Sequence, residues 1–211
     1  MKSHRLWSSS AHQMLRGTAV IALALTAIPA SADLSDSDRQ AGLAQLERTR
    51  HDVIEATKGL SDAQLKFKAG PDRWSIGEVL EHIALSEGFF LETITKKIMQ
   101  APAGKPDRDI KAGDKLVLAA IVDRSHKAQA PGPLTPTGRW SPRESTDQFL
   151  KARARTAEFL RSTEGLRDHV VDSPIGQPLD AYQWVLFSSA HSERHTRQIL
   201  EVKADPNFPA K

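Results

Sequence analysis

The sequence predicts an all-α protein with four long helices. In four separate stretches, apolar residues recur at the three- and four-residue spacing of an amphipathic helix. Three of these stretches begin at a residue that commonly caps helices, namely Ser75, Ser141 and Asp180. Segments rich in proline and glycine separate them, which indicates loops between helices rather than one continuous rod.

The first 32 residues have the pattern of a secretory signal peptide. Lys2, Arg5 and Arg16 precede the apolar run 18–28, and small residues before Asp33 form a site for cleavage after Ala32. The run is shorter than the roughly 20 residues that a membrane-spanning helix needs. We therefore expect a periplasmic or secreted protein, with an uncleaved membrane anchor as the alternative.

The remaining residues 33–211 are long enough for one domain with a substantial core. The leader has three basic and no acidic residues, so the mature chain has 26 of each and no net charge. This balance gives no support to nucleic-acid binding. The chain has no cysteine, which excludes disulfides, thiolate metal ligands and a cysteine nucleophile.

The first half of the mature chain predicts two long helices. The first helix is expected from Ser35 to Thr57 and is followed by a possible short turn at 61–65. A Ser-x-x-Glu capping box at Ser75 starts the second, which is expected to continue to about Met99. Its core stripe comprises Ile76, Val79, Leu80, Ile83, Leu91, Ile94 and Ile98.

A long connection separates the second and third long helices. We expect a loop at 101–113, a short helix at 115–127 and an extended crossover at 130–138, where three prolines prevent a helix. A second capping box then starts the third long helix at Ser141. Its buried stripe includes Phe149, whereas the basic side chains Lys151, Arg153, Arg155 and Arg161 are expected to lie in solvent.

The last long helix is expected from Asp180 to about Lys203, after a loop at 172–179. One broad face contains Trp184, Phe187, Ser188, His191, His195, Gln198 and Val202. Two histidines four residues apart on an inward face can bind one metal ion, which would offset the cost of burying both imidazoles. The alternative is that both are polar residues on a partly exposed face.

A third metal ligand must come from elsewhere, and His82 is the best candidate. It is the other histidine that lies within a strongly helical, largely apolar segment. Three neutral imidazoles with an open position form a reactive divalent-metal site, with zinc or nickel as the first candidates. The alternative for His82 is a hydrogen-bonded core histidine. Glu87 is a weaker candidate participant, and Glu81 is expected to be solvated.

Three segments resemble the DinB-like superfamily: DRWSIGEVLEHI at 72–83, PTGRWS at 136–141 and HSERHTRQI at 191–199. The resemblance extends from about residue 40 to the end of the chain. It implies an up-down-type four-helix bundle with a long crossover segment, a divalent-metal site formed by His82, His191 and His195, and a possible homodimer.

The same resemblance implies two classes of function. Related proteins include transferases that use a low-molecular-weight thiol, so the chain is expected to act on a small molecule as a metal-dependent thiol transferase or hydrolase. Gln198 and Ser188 are weaker candidates for contact with that ligand or with water. The alternative is a non-catalytic metal-binding or stress-associated bundle. A purely structural bundle would instead have its three imidazoles far apart.

Overall fold

The structure is a computed structural model that describes residues 34–104, 107–125 and 128–210. The predicted leader and its cleavage site lie outside these residues, so export stays a prediction. Six helices are described: α1 (Asp36–Thr57), α2 (Asp62–Lys66), α3 (Ile76–Lys96), α4 (Ile110–Val122), α5 (Pro142–Ser162) and α6 (Ala181–Lys203). None of the helices within the described ranges has the length and apolarity needed to cross a membrane.

Short elements complete the fold. The 3-10 turns Ile98–Gln100 and Gly132–Leu134 lie in the connections, and strands β1 (Val170–Asp172) and β2 (Pro178–Asp180) pair antiparallel just before α6. The sequence predicted a loop with a turn over 172–179. The short hairpin forms because two runs of three residues pair across a turn at Gly176, whose φ of 73° is favourable for glycine.

The predicted helix starts are confirmed by hydrogen bonds at the caps. Ser75 and Ser141 each accept the backbone N–H of the glutamate three residues on, and each glutamate accepts the backbone N–H of its serine. Asp180 and Gln183 make the same reciprocal pair at the start of α6. Each pair satisfies N–H groups that the first helical turn cannot satisfy itself.

Helices α1 and α6 pack side by side and run in the same direction. At their starts, Tyr182 Oη donates to the Asp38 carbonyl at 2.6 Å. At their ends, Lys203 Nζ donates to the Ala56 carbonyl at 2.8 Å. The two helices therefore keep a parallel register over most of their length.

Helices α3 and α5 form the second parallel pair. Gly77 approaches Pro142 at their starts, and Glu87 bonds Arg153 about one-half of the way along. Helix α3 runs antiparallel to α6, because Phe90 contacts Phe187 while His82, nearer the start of α3, contacts His195.

The four-helix bundle with a long crossover is confirmed, and the predicted up-down-type order is refined. The four long helices run up, down, down and up, so the chain must return from the end of α3 to the start of α5. Helix α4 makes this return, lying against α6 and parallel to it, with Gln183 bonded to the Ile110 carbonyl and Arg194 bonded to the Ile121 carbonyl.

The short helix of the crossover starts earlier than the sequence predicted. It was expected at 115–127, but α4 begins at Ile110, after Asp109 caps the Ala112 N–H at 2.9 Å. The expectation of a loop up to residue 113 was wrong, because residues 110–113 form the first turn of α4 and Gly113 packs against Gln183 of α6. A Cβ atom there would lie 2.4 Å from Gln183 Nε2, so glycine permits α4 to pack closely on α6.

A buried ion pair lies at the centre of the bundle. Arg153 was expected to be solvated, but only 2% of it is exposed, and this expectation was wrong. Its Nε and Nη2 donate to the two oxygens of Glu87 at 2.8 Å each. The periodicity of α5 could not reveal this, because a stripe of basic residues matches a solvated face unless the buried partner on α3 is known.

Removing one charge of this pair is predicted to be much more damaging than removing both. Arg153→Met leaves Glu87 buried without its counter-ion and should lower the free energy of unfolding by about 3–5 kcal/mol. The Glu87→Gln/Arg153→Met double variant should lose less. Urea denaturation of the metal-free protein measures both.

Arg155→Met is the matched control, because Arg155 lies exposed on the same helix. Its effect should stay within about 0.5 kcal/mol. A single Arg153→Met variant as stable as this control would contradict the structural role of the ion pair.

Candidate metal centre

The structure brings together the three histidines predicted as metal ligands. One ring nitrogen from each of His82, His191 and His195 lies within 4.8 Å of the other two. The Nε2 atoms of His82 and His191 are 3.2 Å apart, close to the roughly 3.4 Å expected for neighbouring ligands of a tetrahedral ion. A purely structural bundle was expected to keep these imidazoles apart, and they are not apart.

The crossover segment orients His82. Its Nδ1 lies 2.7 Å from the Leu134 carbonyl oxygen, which can only accept a hydrogen bond. The proton of neutral His82 is therefore on Nδ1, and the lone pair of Nε2 points toward His191. This is the arrangement found where a second group fixes the tautomer of a metal-binding histidine.

Gln198 performs the same task for His195. His195 Nδ1 lies 2.8 Å from Gln198 Oε1, so the ring donates there and its Nε2 carries the lone pair. Gln198 was predicted to touch ligand or water, and the structure shows it bonded to a candidate ligand instead. In the neutral metal-free protein, His191 Nε2–H can donate to His82 Nε2. In the other neutral tautomer of His191 the proton lies on Nδ1, and all three Nε2 lone pairs are then available to a common cation, so this donor set fits a divalent ion.

Aromatic rings enclose the histidine cluster. Trp74 lies with its ring centroid 4.9 Å from that of His82 and stacks on His195 at 6.5 Å. On the opposite side, the Phe90 ring meets His191 edge-on at 5.2 Å. His82 and His195 are buried, whereas the residue His191 keeps part of its surface exposed.

This environment favours neutral imidazoles. Burial lowers the pKa of His191 well below its ordinary value of 6.5, and its neighbours His195 and His82 lower it further. Burial also lowers the pKa of His195 well below the ordinary value, with His82 adding to the effect and the bond to Gln198 opposing it. The pKa of His82 is lowered by burial against the opposing bond to Leu134. Neutral imidazole is the form that binds metals.

Glu81 anchors the crossover segment beside His82. It was expected to be solvated, which was wrong, because only 2% of it is exposed. Its carboxylate accepts the backbone N–H groups of Thr137 at 3.0 Å and Gly138 at 2.8 Å, with Arg139 at 3.4 Å. The sequence signal for this contact is indirect. A buried carboxylate needs hydrogen-bond donors, and the glycine at 138 indicates a tight turn whose N–H groups can supply them. In the structure Gly138 has a φ of 72°.

Glu87 and Ser188 have structural partners rather than ligand contacts. Both Glu87 oxygens accept from Arg153, and Ser188 Oγ donates to Glu87 Oε2 at 2.7 Å. Glu87 is thus committed to the central ion pair. Sequence reasoning missed Ser86, which is fully buried and whose hydroxyl has no hydrogen-bond partner among the described residues. It lies one turn from His82 on the face of α3 that contacts α6.

Comparison with known proteins establishes the family. Residues 45–199 match the model of the DinB superfamily. The chain belongs to the DinB superfamily. The match spans the segments that contain all three histidines and the crossover between them.

Two individual proteins show how far the likeness to DinB-superfamily members extends. YuaE of Bacillus subtilis (strain 168), an uncharacterized protein, is 29% identical over 148 residues, which cover 69% of this chain and 87% of YuaE. The solved structure of Bacillus subtilis YfiT, described as a probable metal-dependent hydrolase with an unusual four-helix bundle topology, superposes with a TM-score of 0.52. It is 17% identical and the alignment covers 83% of this chain and 91% of YfiT, so this likeness shows the fold.

The lowered histidine pKa values predict an acid-sensitive metal-free protein. Below about pH 6.5 the unfolded chain protonates histidines that the folded chain keeps neutral, so stability is full above this pH and falls as the pH drops. Each histidine can contribute up to about 1.4 kcal/mol per pH unit. Thermal unfolding between pH 7.5 and 5.5 should show the loss.

A His191→Gln/His195→Gln variant should lose less stability over the same range, because glutamine does not titrate. His51→Gln, at an exposed position, serves as the control and should follow the wild type. Parallel pH profiles for the wild type and the double variant would contradict the assignment.

Proposed function

We propose that this protein is a metal-dependent hydrolase that binds one divalent cation through His82, His191 and His195. The observation that carries the proposal is the convergence of three imidazole nitrogens within 4.8 Å, two of them with the tautomer set by a protein oxygen. The description of YfiT as a probable metal-dependent hydrolase supports the choice of reaction class.

The donor set favours a reactive site over a closed structural one. Three histidines are among the ligand sets of catalytic zinc, and they leave a position for a further ligand. A divalent ion held in this way acts as a Lewis acid that polarises a carbonyl group or activates water. The chain contributes the neutral imidazoles, the bonds that orient them, and the aromatic walls of Trp74 and Phe90 that exclude bulk water.

The proposed substrate is a small molecule that reaches the ion from the partly exposed His191 side. Thiol transfer is the second reaction that the resemblance implied, and a substrate screen separates it from hydrolysis. We further propose that the protein acts outside the cytoplasm, which is supported by the composition of residues 1–32. Elemental analysis of the purified protein would identify the bound ion as zinc or nickel.

The first test is the metal content of the mature protein purified without a histidine tag. We expect close to one divalent ion per chain, and loss of the ion in His82→Ala and in His191→Ala/His195→Ala, because a site with fewer imidazoles binds much more weakly. His51→Ala removes an exposed histidine and should keep the ion.

The metal-loaded protein is then screened against activated esters, amides and lactones, and separately against thiols with an electrophile. Hydrolysis that requires the metal and all three histidines supports the proposal. If the protein binds one metal ion per chain but catalyses only thiol transfer, the hydrolase proposal is replaced by a metal-dependent thiol transferase. A wild-type protein that stays metal-free after incubation with zinc and nickel would overturn it and favour a non-catalytic bundle.

Glu81 is predicted to control metal affinity without binding the metal. Glu81→Gln replaces an acceptor of three backbone N–H groups by an amide with one acceptor oxygen, which should loosen the segment that places the Leu134 carbonyl on His82. Changes to groups that orient a metal-binding histidine typically weaken affinity about 10- to 100-fold. Competition with a chromogenic chelator measures the dissociation constant.

Asp114→Asn is the matched control for this prediction. Asp114 accepts hydrogen bonds from the buried Arg167 at 2.8 and 2.7 Å. It also accepts one from Gln183, which lies in the first turn of α6, about two turns from His191. The Asp114→Asn substitution should lower the melting temperature and leave the metal dissociation constant unchanged. Equal metal affinity in Glu81→Gln and the wild type would show that Glu81 only stabilises the crossover.

A further inference from the structure

A second concave site lies between α3, α5 and the crossover segment, and none of the three histidines lines it. The cavity has a volume of about 500 Å³, within the range of small-molecule sites. Its walls are mainly apolar and include Ala84, Gly88, Leu134 and Trp140. Lys151 and Arg155 line its α5 side.

Gly88 gives the cavity its depth. A Cβ atom added at this glycine would have no heavy atom within 4 Å, so the helix surface is open where other residues would present a side chain. Next to it, Phe89 lines the same cavity and is 44% exposed, which is unusual for a phenylalanine in a folded domain. The cavity thus offers an apolar floor with an exposed aromatic ring at its edge.

The charges of this cavity are unbalanced. Lys151 and Arg155 are four residues apart on α5, where like charges repel, and neither has an ion-pair or hydrogen-bond partner among the described residues. Glu92 also lines the cavity, but it is bonded to Lys96 at 2.6 Å. The cations that face the cavity are therefore left without a protein carboxylate of their own.

A neighbouring groove differs from the first cavity in this respect. The second groove, between α1 and α5, has a volume of about 280 Å³ and is also lined by arginines. There Arg161 pairs with Glu158 at 3.0 Å, and Arg50 Nε pairs with Glu47 at 2.8 Å. Its cations are already neutralised by the chain itself.

We propose that the cavity between α3 and α5 binds a small amphiphilic carboxylate, with its acyl or aryl chain over Gly88 and its carboxylate between Lys151 and Arg155. The apolar floor fits the chain of such a ligand, and the unpaired cations fit its head group. This site is distinct from the histidine cluster. The two are adjacent through Leu134, whose carbonyl orients His82 while the residue lines the cavity.

Octanoate is the probe, measured by displacement of the fluorescent anion 8-anilinonaphthalene-1-sulfonate and by calorimetry on the metal-free full chain. We expect saturable one-to-one binding with a dissociation constant below about 1 mM. Lys151→Gln/Arg155→Gln should weaken it about tenfold, and octanol should bind as weakly to the wild type as octanoate does to this variant.

Gly88→Leu tests the floor of the cavity. Leucine is a better helix former than glycine and meets no atom at its Cβ, so the variant should fold with an equal or higher melting temperature while losing octanoate binding. Arg161→Gln, in the second groove, is the matched control and should bind octanoate like the wild type. His191→Ala should also keep binding, which separates this site from the proposed metal centre.

Three outcomes would overturn the proposal. These are no saturable binding below about 1 mM, binding that neither Gly88→Leu nor the double charge variant weakens, and binding that is lost in His191→Ala. None of them bears on whether the three histidines hold a metal, because every titration uses the metal-free protein.

Discussion

The bundle depends on the buried ion pair between Glu87 and Arg153. The guanidinium bonds Glu87 on α3, the Leu46 carbonyl at 2.7 Å and Thr49 Oγ1 at 2.8 Å on α1, and Ser192 Oγ at 2.9 Å on α6. One side chain of α5 thereby contacts the other three long helices. Burying two charges is costly unless each polar atom has a partner, so the interaction is favourable in one relative placement of the four helices.

This constraint also determines where the histidines meet. Ser188 donates to Glu87, Ser192 accepts from Arg153, and these two serines flank His191 within one turn of α6. On α3, Glu87 follows His82 by less than two turns. A shift of one residue between α3 and α6 would break the hydrogen bonds of the ion pair and separate His82 from its partners. The polar centre of the bundle therefore holds the register that the candidate metal site requires.

The sequence was sufficient for the starts of the long helices and for the three histidines, but not for the start of α4 or for the charges that become buried. Capping boxes and the spacing of His191 and His195 are local patterns, which one chain segment specifies by itself. Arg153 and Glu81 are different, because each is buried through donors or acceptors on elements distant in sequence. In such cases a solvated residue and a buried one have the same local pattern, and the correct choice depends on a tertiary partner.

The crossover segment has a role that follows from the direction of the helices. Because α3 and α5 are parallel, the chain must return along the bundle, and its last part passes over the end of the bundle where His82 lies. Glu81 fixes this part by accepting the backbone N–H groups of Thr137 and Gly138, and the side chains of Thr137 and Arg139 also reach its carboxylate. The Leu134 carbonyl accepts a hydrogen bond from His82, and the same residue lines the neighbouring cavity. The backbone that orients His82 is consequently held by Glu81, the buried carboxylate next to His82 on the same helix.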